Sequence, residues 1–173
     1  VVVTDGGWYP NHNKGAWAYL TLGIKDGTLT QGSGIEEGTH MRNELVAGLM
    51  GLRSVPAGSK VLWVADSEYA LNSPRWALSR WQHNGWTKGH SSRRKPVKHR
   101  DIIEPLANVF SQLIVDDRWI KSHTNNKDPF SQLNAFVDNL VTYTLQEAVN
   151  GDAAYLEKVR LAIINLLKQR AGY

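Results

Sequence analysis

Four acidic residues occupy positions where a carboxylate is hard to explain by folding alone. Asp5 follows the apolar run VVVT at residues 1–4, and Asp66 follows VLWVA at residues 61–65. A strand buried on both faces has no place for an unpaired carboxylate in its interior, so each aspartate is expected at a strand end, facing something that compensates its charge. Glu44 lies in RNELVAGLMGLR, at the margin of a helical face formed by Leu45, Val46, Leu49 and Leu52. Asp138 interrupts the apolar face of Leu133, Phe136, Val137 and Leu140. Taken singly, each has an ordinary reading: a turn Asp-Gly for Asp5, a charge near a helix N-terminus for Glu44, a solvated helix residue for Asp138. Gathered at one cleft they would repel one another unless a cation bound them, and hard divalent ions such as Mg²⁺ take oxygen ligands of this kind. Two such ions about 4 Å apart can activate a water, stabilise a departing oxygen and neutralise a phosphoryl group in an in-line displacement. That is nuclease or phosphotransferase chemistry.

The elements needed to position these acids follow from the hydrophobic pattern. Strands are expected at 1–4, 15–24 and 27–35, with KDG at 25–27 turning the second into the third. A helix over 42–53 is closed by Pro56 and Gly58, a buried strand follows at 61–65, and a helix runs from Ser67 to Pro74 and resumes toward Trp81. A helix over 101–113, a last short strand at 118–122 and a polar loop at 123–128 precede a helix over 129–149, with Pro129 in its first turn. Asn150, Gly151 and Asp152 break that helix, and residues 153–170 form a final amphipathic one. This order predicts an α/β fold: a five-stranded mixed sheet flanked by helices, over residues 1–149, with a C-terminal helical extension at 150–173. In such sheets ligands gather near strand ends, where Asp5 and Asp66 are expected.

Composition narrows the partner. The chain has 173 residues, no cysteine and a formal net charge of +4, so disulfides and thiolate metal sites are excluded and a polyanionic partner is favoured. No apolar stretch approaches the roughly 20 residues that span a bilayer, and no secretory signal pattern is present, which gives the expectation of a soluble, intracellular protein without a membrane partner. The charge is concentrated. Between Tyr69 and Arg100 there is no acidic residue, whereas Arg75, Arg80, Lys88, Arg93, Arg94, Lys95, Lys98 and Arg100 are all present. An ordinary solvated surface mixes both signs, so this stretch reads as a track for a phosphate backbone. Trp76, Trp81 and Trp86 stand among the cations. Tryptophans can pack on sugars or bases, and they can equally anchor a projecting helix in the core. The core reading suits Trp76 and Trp81, and the contact reading suits Trp86, which follows the turn HNG. The candidate substrate contacts here are Trp81, Trp86, Lys88, Arg93, Arg94, Lys95 and Lys98.

Together VTDGG (3–7), THMRNELVAGL (39–49), ADSEYAL (65–71), WQHNGWTKGHSSRRKPVKHRD (81–101) and the span from WIKSH to VDNL (119–140) make the chain resemble the type 1 ribonucleases H. The resemblance runs through residues 1–149 in the family's order. It implies a ribonuclease H-like fold and a metal-dependent endonuclease that hydrolyses the RNA strand of RNA–DNA hybrids, leaving 3′-hydroxyl and 5′-phosphate ends. It makes Asp5, Glu44, Asp66 and Asp138 the metal-binding acids, with two Mg²⁺ ions as cofactor and Mn²⁺ as a substitute. His123 becomes the loop histidine that assists proton transfer or product release, and the basic segment becomes the protrusion that grips the DNA strand. Gly6, Gly7, Asn11, Thr39 and Ser67 fall where RNA 2′-hydroxyls are contacted, the glycines by letting the backbone approach closely.

The chain also departs from the family's pattern. His40 and Met41 stand where asparagine or glutamine is usual, which implies altered RNA-strand contacts. Glu68 replaces a common glutamine close to the metal acids. Ser122 replaces the glycine before the histidine, and the loop from His123 to Asp138 is longer than usual. Residues 153–173 fall outside the resemblance, and their amphipathic helix can pack on the domain, pair with a second copy or bind a protein partner. Two rival readings share the acids: a DNA-processing enzyme of the same fold, integrase-like or resolvase-like, and a catalytically silent hybrid-binding module.

Overall fold

A computed structural model describes residues 1–121 and 128–150. His123 and the expected helix at 153–170 therefore lie outside the described residues. Val2–Tyr9 (β1), Lys14–Leu22 (β2) and Leu29–Glu36 (β3) form an antiparallel series, joined after β1 by a single 3₁₀ turn at Pro10–His12. His40–Arg53 (α1) leads to Lys60–Ala65 (β4), and Glu68–Trp76 (α2) continues into a wider helical turn at Ala77–Trp81. Thr87–Lys88 (β5) and Lys95–Pro96 (β6) make a small separate hairpin, followed by Arg100–Ser111 (α3), Ile114–Trp119 (β7) and Pro129–Asn150 (α4). The main sheet has the order β3-β2-β1-β4-β7, with β4 parallel to both of its neighbours.

This is the expected five-stranded mixed sheet, and its two faces are covered differently. On one face Val2, Trp63 and Ala65 pack beneath α1, α2 and α3, through Leu45, Leu49, Leu52, Leu71, Ile103 and Leu106. On the other, Val3, Ala16, Ala18, Leu20 and Val64 meet Val137, Leu140, Val141 and Leu145 of α4. The period-2 alternation of β1 supplies both layers, which is why three consecutive valines open the chain. Trp63 is fully buried and its Nε1 donates to Thr4 Oγ1 at 2.9 Å, so the one polar group of this side chain is satisfied inside the core.

Two expectations are corrected here. The last strand lies at Ile114–Trp119 rather than at 118–122, because β7 is an edge strand and tolerates Asp116 and Asp117, which fall between the expected helix and the expected strand. Asp117 pairs with Arg75. Pro74 does not interrupt its helix, which runs on to Trp76. Among the described residues no helix is long and apolar enough to cross a membrane.

Candidate active site

Asp5 does not end a strand, as expected, nor does it start a turn. β1 continues through Gly6 and Gly7 to Tyr9, paired with β2 along its whole length. On its other side the pairing with β4 stops at Val3 opposite Val64. The sheet therefore forks at Asp5, and the carboxylate sits at the fork with the interior of the strand still intact behind it. That placement reconciles a charged group with a buried strand: one edge of β1 is open from Thr4 onward, so Asp5 faces the gap between diverging strands. Asp66 stands on the other arm of the fork, immediately after β4. Its carbonyl oxygen accepts a hydrogen bond from Trp119 Nε1 at 2.9 Å, and Ile120 N donates to Ala65 O at 3.1 Å, so the edge strand holds this turn in place.

Glu44 arrives from α1 on the opposite layer. The approach depends on Gly6, where a Cβ would lie 2.3 Å from Glu44 N and 2.4 Å from Asn43 C. At Gly7 a Cβ would lie 2.6 Å from Val141 Cγ1 on α4. At both glycines the missing Cβ admits protein, α1 against one face of β1 and α4 against the other. Gly6 N donates to Asp5 Oδ1 at 2.9 Å. One carboxylate oxygen from each of Asp5, Glu44 and Asp66 lies within 4.8 Å of the others. Asp138, half-buried on α4, is near enough for its charge to act on Asp5 but lies outside that tight set.

Electrostatics shows what the cluster lacks. Asp5 is 4% exposed and Glu44 2%. Burial first, and then the charges of Glu44, Asp66 and Asp138, push the Asp5 carboxyl well above the usual carboxylate range, against the Gly6 N–H bond. Burial likewise raises Glu44, with Asp66 adding to it and a hydrogen bond from His40 opposing it. Glu44 Oε2 is buried with no hydrogen-bond donor. An all-carboxylate donor set with an orphaned buried oxygen fits a hard divalent cation, which would return these groups to the charged form.

Three contributions escaped the sequence reading. His40 Nε2 lies 3.2 Å from Glu44 Oε1, and the hydrogen bond and charge of Glu44 raise the imidazole pKa against its partial burial. Asn43 is buried beside Glu44, with Nδ2 donating to Thr39 O at 3.1 Å, so it ties the start of α1 to the loop before it. Trp119 fixes Asp66 through the backbone. Only the first had a sequence signal, the i,i+4 spacing of His40 and Glu44 on one helical face.

The remaining candidates surround this cluster unevenly. Thr39 is exposed at the α1 N-terminus, Ser67 Oγ caps α2 by accepting from Ala70 N at 3.2 Å, and Asn11 is exposed in the turn after β1. Lys88, Arg93, Arg94, Lys95 and Lys98 are all exposed, and among the described residues none of them is ion-paired. Of the tryptophans, Trp81 follows the core reading and Trp86 departs from the contact reading. Trp81 is 5% exposed and Trp86 6%, so neither presents a face for stacking on a nucleic acid. Both belong to the core under α3, because the hairpin of β5 and β6 offers no apolar surface of its own and must be anchored by its base. Trp86 adopts a left-handed backbone with φ 59°, its ring lies under the Arg100 guanidinium at 4.9 Å, and its backbone pairs with Trp81 and Val97. Arg42 of α1 ties this base to the end of β3, reaching Glu36 Oε1 at 3.0 Å and Asp101 Oδ2 at 2.7 Å.

Comparison with known proteins agrees with this architecture. The sequence model of the RNase H family matches residues 1–146. Ribonuclease H of Marinobacter nauticus is 30% identical over 151 residues, 87% of this chain and 96% of that protein. Ribonuclease H of Idiomarina loihiensis is 32% identical over 125 residues, 72% of this chain and 76% of its own length. Among solved structures, the RNase H domain of prototype foamy virus superposes with a TM-score of 0.65 at 22% identity, covering 83% of this chain and 92% of that domain. A fork in the sheet that gathers three carboxylates, and a family match through nearly all the described residues, place this chain in the RNase H family of phosphodiester-cleaving hydrolases.

Proposed function

We propose that this chain hydrolyses the RNA strand of RNA–DNA hybrids, with Asp5, Glu44 and Asp66 holding divalent metal and Asp138 completing the shell. The catalytic domain in this reading is residues 1–149. The observation that carries it is the three-carboxylate cluster at the fork, set beside an exposed arm of unpaired cations. Two Mg²⁺ ions, replaceable by Mn²⁺, supply activation of water and neutralisation of phosphoryl charge when bound. The protein's own part is positional. Gly6 lets α1 deliver Glu44 against β1, Trp119 holds the Asp66 turn, and burial denies the carboxylates the water that would otherwise satisfy them. His123, in the polar sequence before α4, assists proton transfer or product release. Thr39, Ser67, Asn11 and the Gly6–Gly7 backbone contact the RNA strand near the metals.

Cross-strand pairing in the arm supports an anionic partner. Lys88 and Lys95 are register partners in the β5–β6 hairpin. Like charges directly opposite one another destabilise a strand pair, and a phosphate bound between them removes the repulsion. Lys88, Arg93, Arg94, Lys95 and Lys98 then follow the DNA backbone, which needs no base reading and is sensitive to salt.

The test is cleavage of a strand-labelled hybrid with Mg²⁺ or Mn²⁺, beside DNA and RNA duplexes, by the wild-type chain and Asp66→Asn. Cutting confined to the RNA strand of the hybrid and lost in the variant supports the proposal. Tight binding of hybrid without cutting by either ion overturns it in favour of a silent binding module, and cutting of duplex DNA overturns it in favour of an integrase-like enzyme.

A further inference from the structure

The main sheet has two free edges, and they are protected very differently. β7 carries Asp116, Asp117 and Arg118, charges of the kind that discourage another strand from pairing at an edge. β3 is longer, and from Leu29 to Ile35 it has neither a charge nor a proline. Among the described residues no strand pairs with its outer side. Gly23 N donates to Thr28 O at 2.8 Å, and the alternation of an antiparallel ladder then turns the main-chain groups of Thr30, Gly32, Gly34 and Glu36 toward β2. Those of Leu29, Gln31, Ser33 and Ile35 point outward. The surface above this edge is equally particular. Trp17 and Tyr19 of β2 hold their rings parallel to within 1° and reach over Gly34 and Gly32, where a Cβ would fall 2.6 Å from Trp17 Cζ2 and 2.5 Å from Tyr19 Cε1. Both side chains are half-buried, and their ring ends sit over the edge strand itself. On the opposite face Ile35 is 40% exposed.

We propose that β3 is an interface between two copies of this chain, paired antiparallel about a two-fold axis at Ser33, so that two five-stranded sheets become one continuous sheet. A second copy suits this edge in three ways. The outward main-chain groups meet in self-complementary pairs, Ser33 with Ser33 and Gln31 with Ile35 of the second copy, each pair exchanging two hydrogen bonds. Gly32 then stands opposite Gly34 of the second copy, with about 4.5 Å between Cα atoms, which brings the end of the Tyr19 ring against Trp17 of the second copy over a floor without side chains. Four aromatic rings close the seam on that face, and Ile35 is covered beside Gln31 on the other. Finally, Thr30 falls opposite Glu36, so no like charges face each other. The seam lies two strands away from Asp5 and uses no residue of the acid cluster or the basic arm, so the inference stands apart from the functional reading.

The test is sedimentation equilibrium of the complete 173-residue chain over a wide range of concentrations, with Ser33→Lys and Ser33→Cys beside it. Wild type is expected as a dimer, at twice the chain mass of 19.4 kDa. Ser33→Lys sets two ammonium groups face to face on the axis and should weaken association by on the order of 100-fold or more, with the far-ultraviolet circular dichroism unchanged. The chain has no cysteine, so in Ser33→Cys a short bifunctional thiol reagent can join two copies only at this position. Nearly complete cross-linking is expected there, and little in Asp116→Cys on the charged edge. A wild-type chain that stays monomeric at every concentration overturns the inference. A dimer that a folded Ser33→Lys leaves unweakened overturns it too, because the contact then lies elsewhere in the chain. If Ser33→Lys does not fold, Ser33→Cys decides: a folded dimer that the reagent fails to join at Ser33 excludes the pairing.

Discussion

The acid cluster and the basic arm are built on opposite principles. The acids come from β1, α1 and the end of β4, three elements at the middle of the fold, and Asp5 and Glu44 are almost wholly buried. The cations come from two two-residue strands and their connecting turns, and all five that are unpaired are exposed. Charge in the cluster is concentrated, desolvated and held against its own repulsion, so it acts strongly over a short distance on whatever cation enters. Charge in the arm is hydrated and spread out, so it acts weakly and additively on an extended polyanion. Catalysis needs rigidity at a point, and grip needs contact along a line. The two tryptophans mark the boundary: Trp81 and Trp86 belong to the rigid region while lying in the sequence of the other.

The contrast can be broken in four places, taken from the largest expected effect to the smallest. Asp66→Asn should lower hybrid cleavage by on the order of 10⁴-fold, equivalent to about 5.5 kcal/mol of barrier, with hybrid binding retained in a gel-shift measurement. If binding is lost with cleavage, the cluster and the arm are not separable. Trp86→Ala should destabilise the protein by about 3–5 kcal/mol in denaturant unfolding, because it empties a core position. A loss of hybrid affinity without loss of stability would instead return Trp86 to the nucleic-acid surface. Replacing Arg94 and Lys95 together by alanine should leave stability within about 0.5 kcal/mol. The same pair should reduce the slope of log affinity against log salt by roughly one per phosphate contact removed, read from hybrid binding at several salt concentrations.

The smallest effect concerns the cluster without metal. Both Asp5 and Glu44 are raised above their unfolded values, burial being the first cause. Between the unfolded and the folded pKa the native chain then holds more protons than the unfolded chain, so stability falls as pH rises through that window. Metal-free protein should therefore lose melting temperature from mildly acidic toward neutral pH, and Asp5→Asn should flatten that dependence and raise the neutral-pH melting temperature by a few degrees. Added Mg²⁺ should do the same for wild type and nothing comparable for the variant. Calorimetry across pH with and without the ion checks each point.

Much of the architecture was legible in the chain itself. Continuous apolar runs identified β1 and β4 as buried strands, the spacing of Leu45, Val46, Leu49 and Leu52 identified α1, and the absence of acids from Tyr69 to Arg100 identified the arm. These features are local, and period and composition record them directly. β7 was misplaced because its acids are tolerated only at a sheet edge, a property of its neighbours rather than of its residues.

What the sequence determined, then, is the inventory: which strands and helices form, which acids are out of place in them, and where the positive charge lies. Tertiary structure alone decided the rest. The position of Asp5 at a fork depends on where β4 stops pairing with β1, the need for Gly6 depends on how closely α1 crosses that strand, and the burial of Trp81 and Trp86 depends on α3 lying above them. Each is a relation between segments far apart in the chain, and hydrophobic periodicity reports which side of an element is buried but not what buries it.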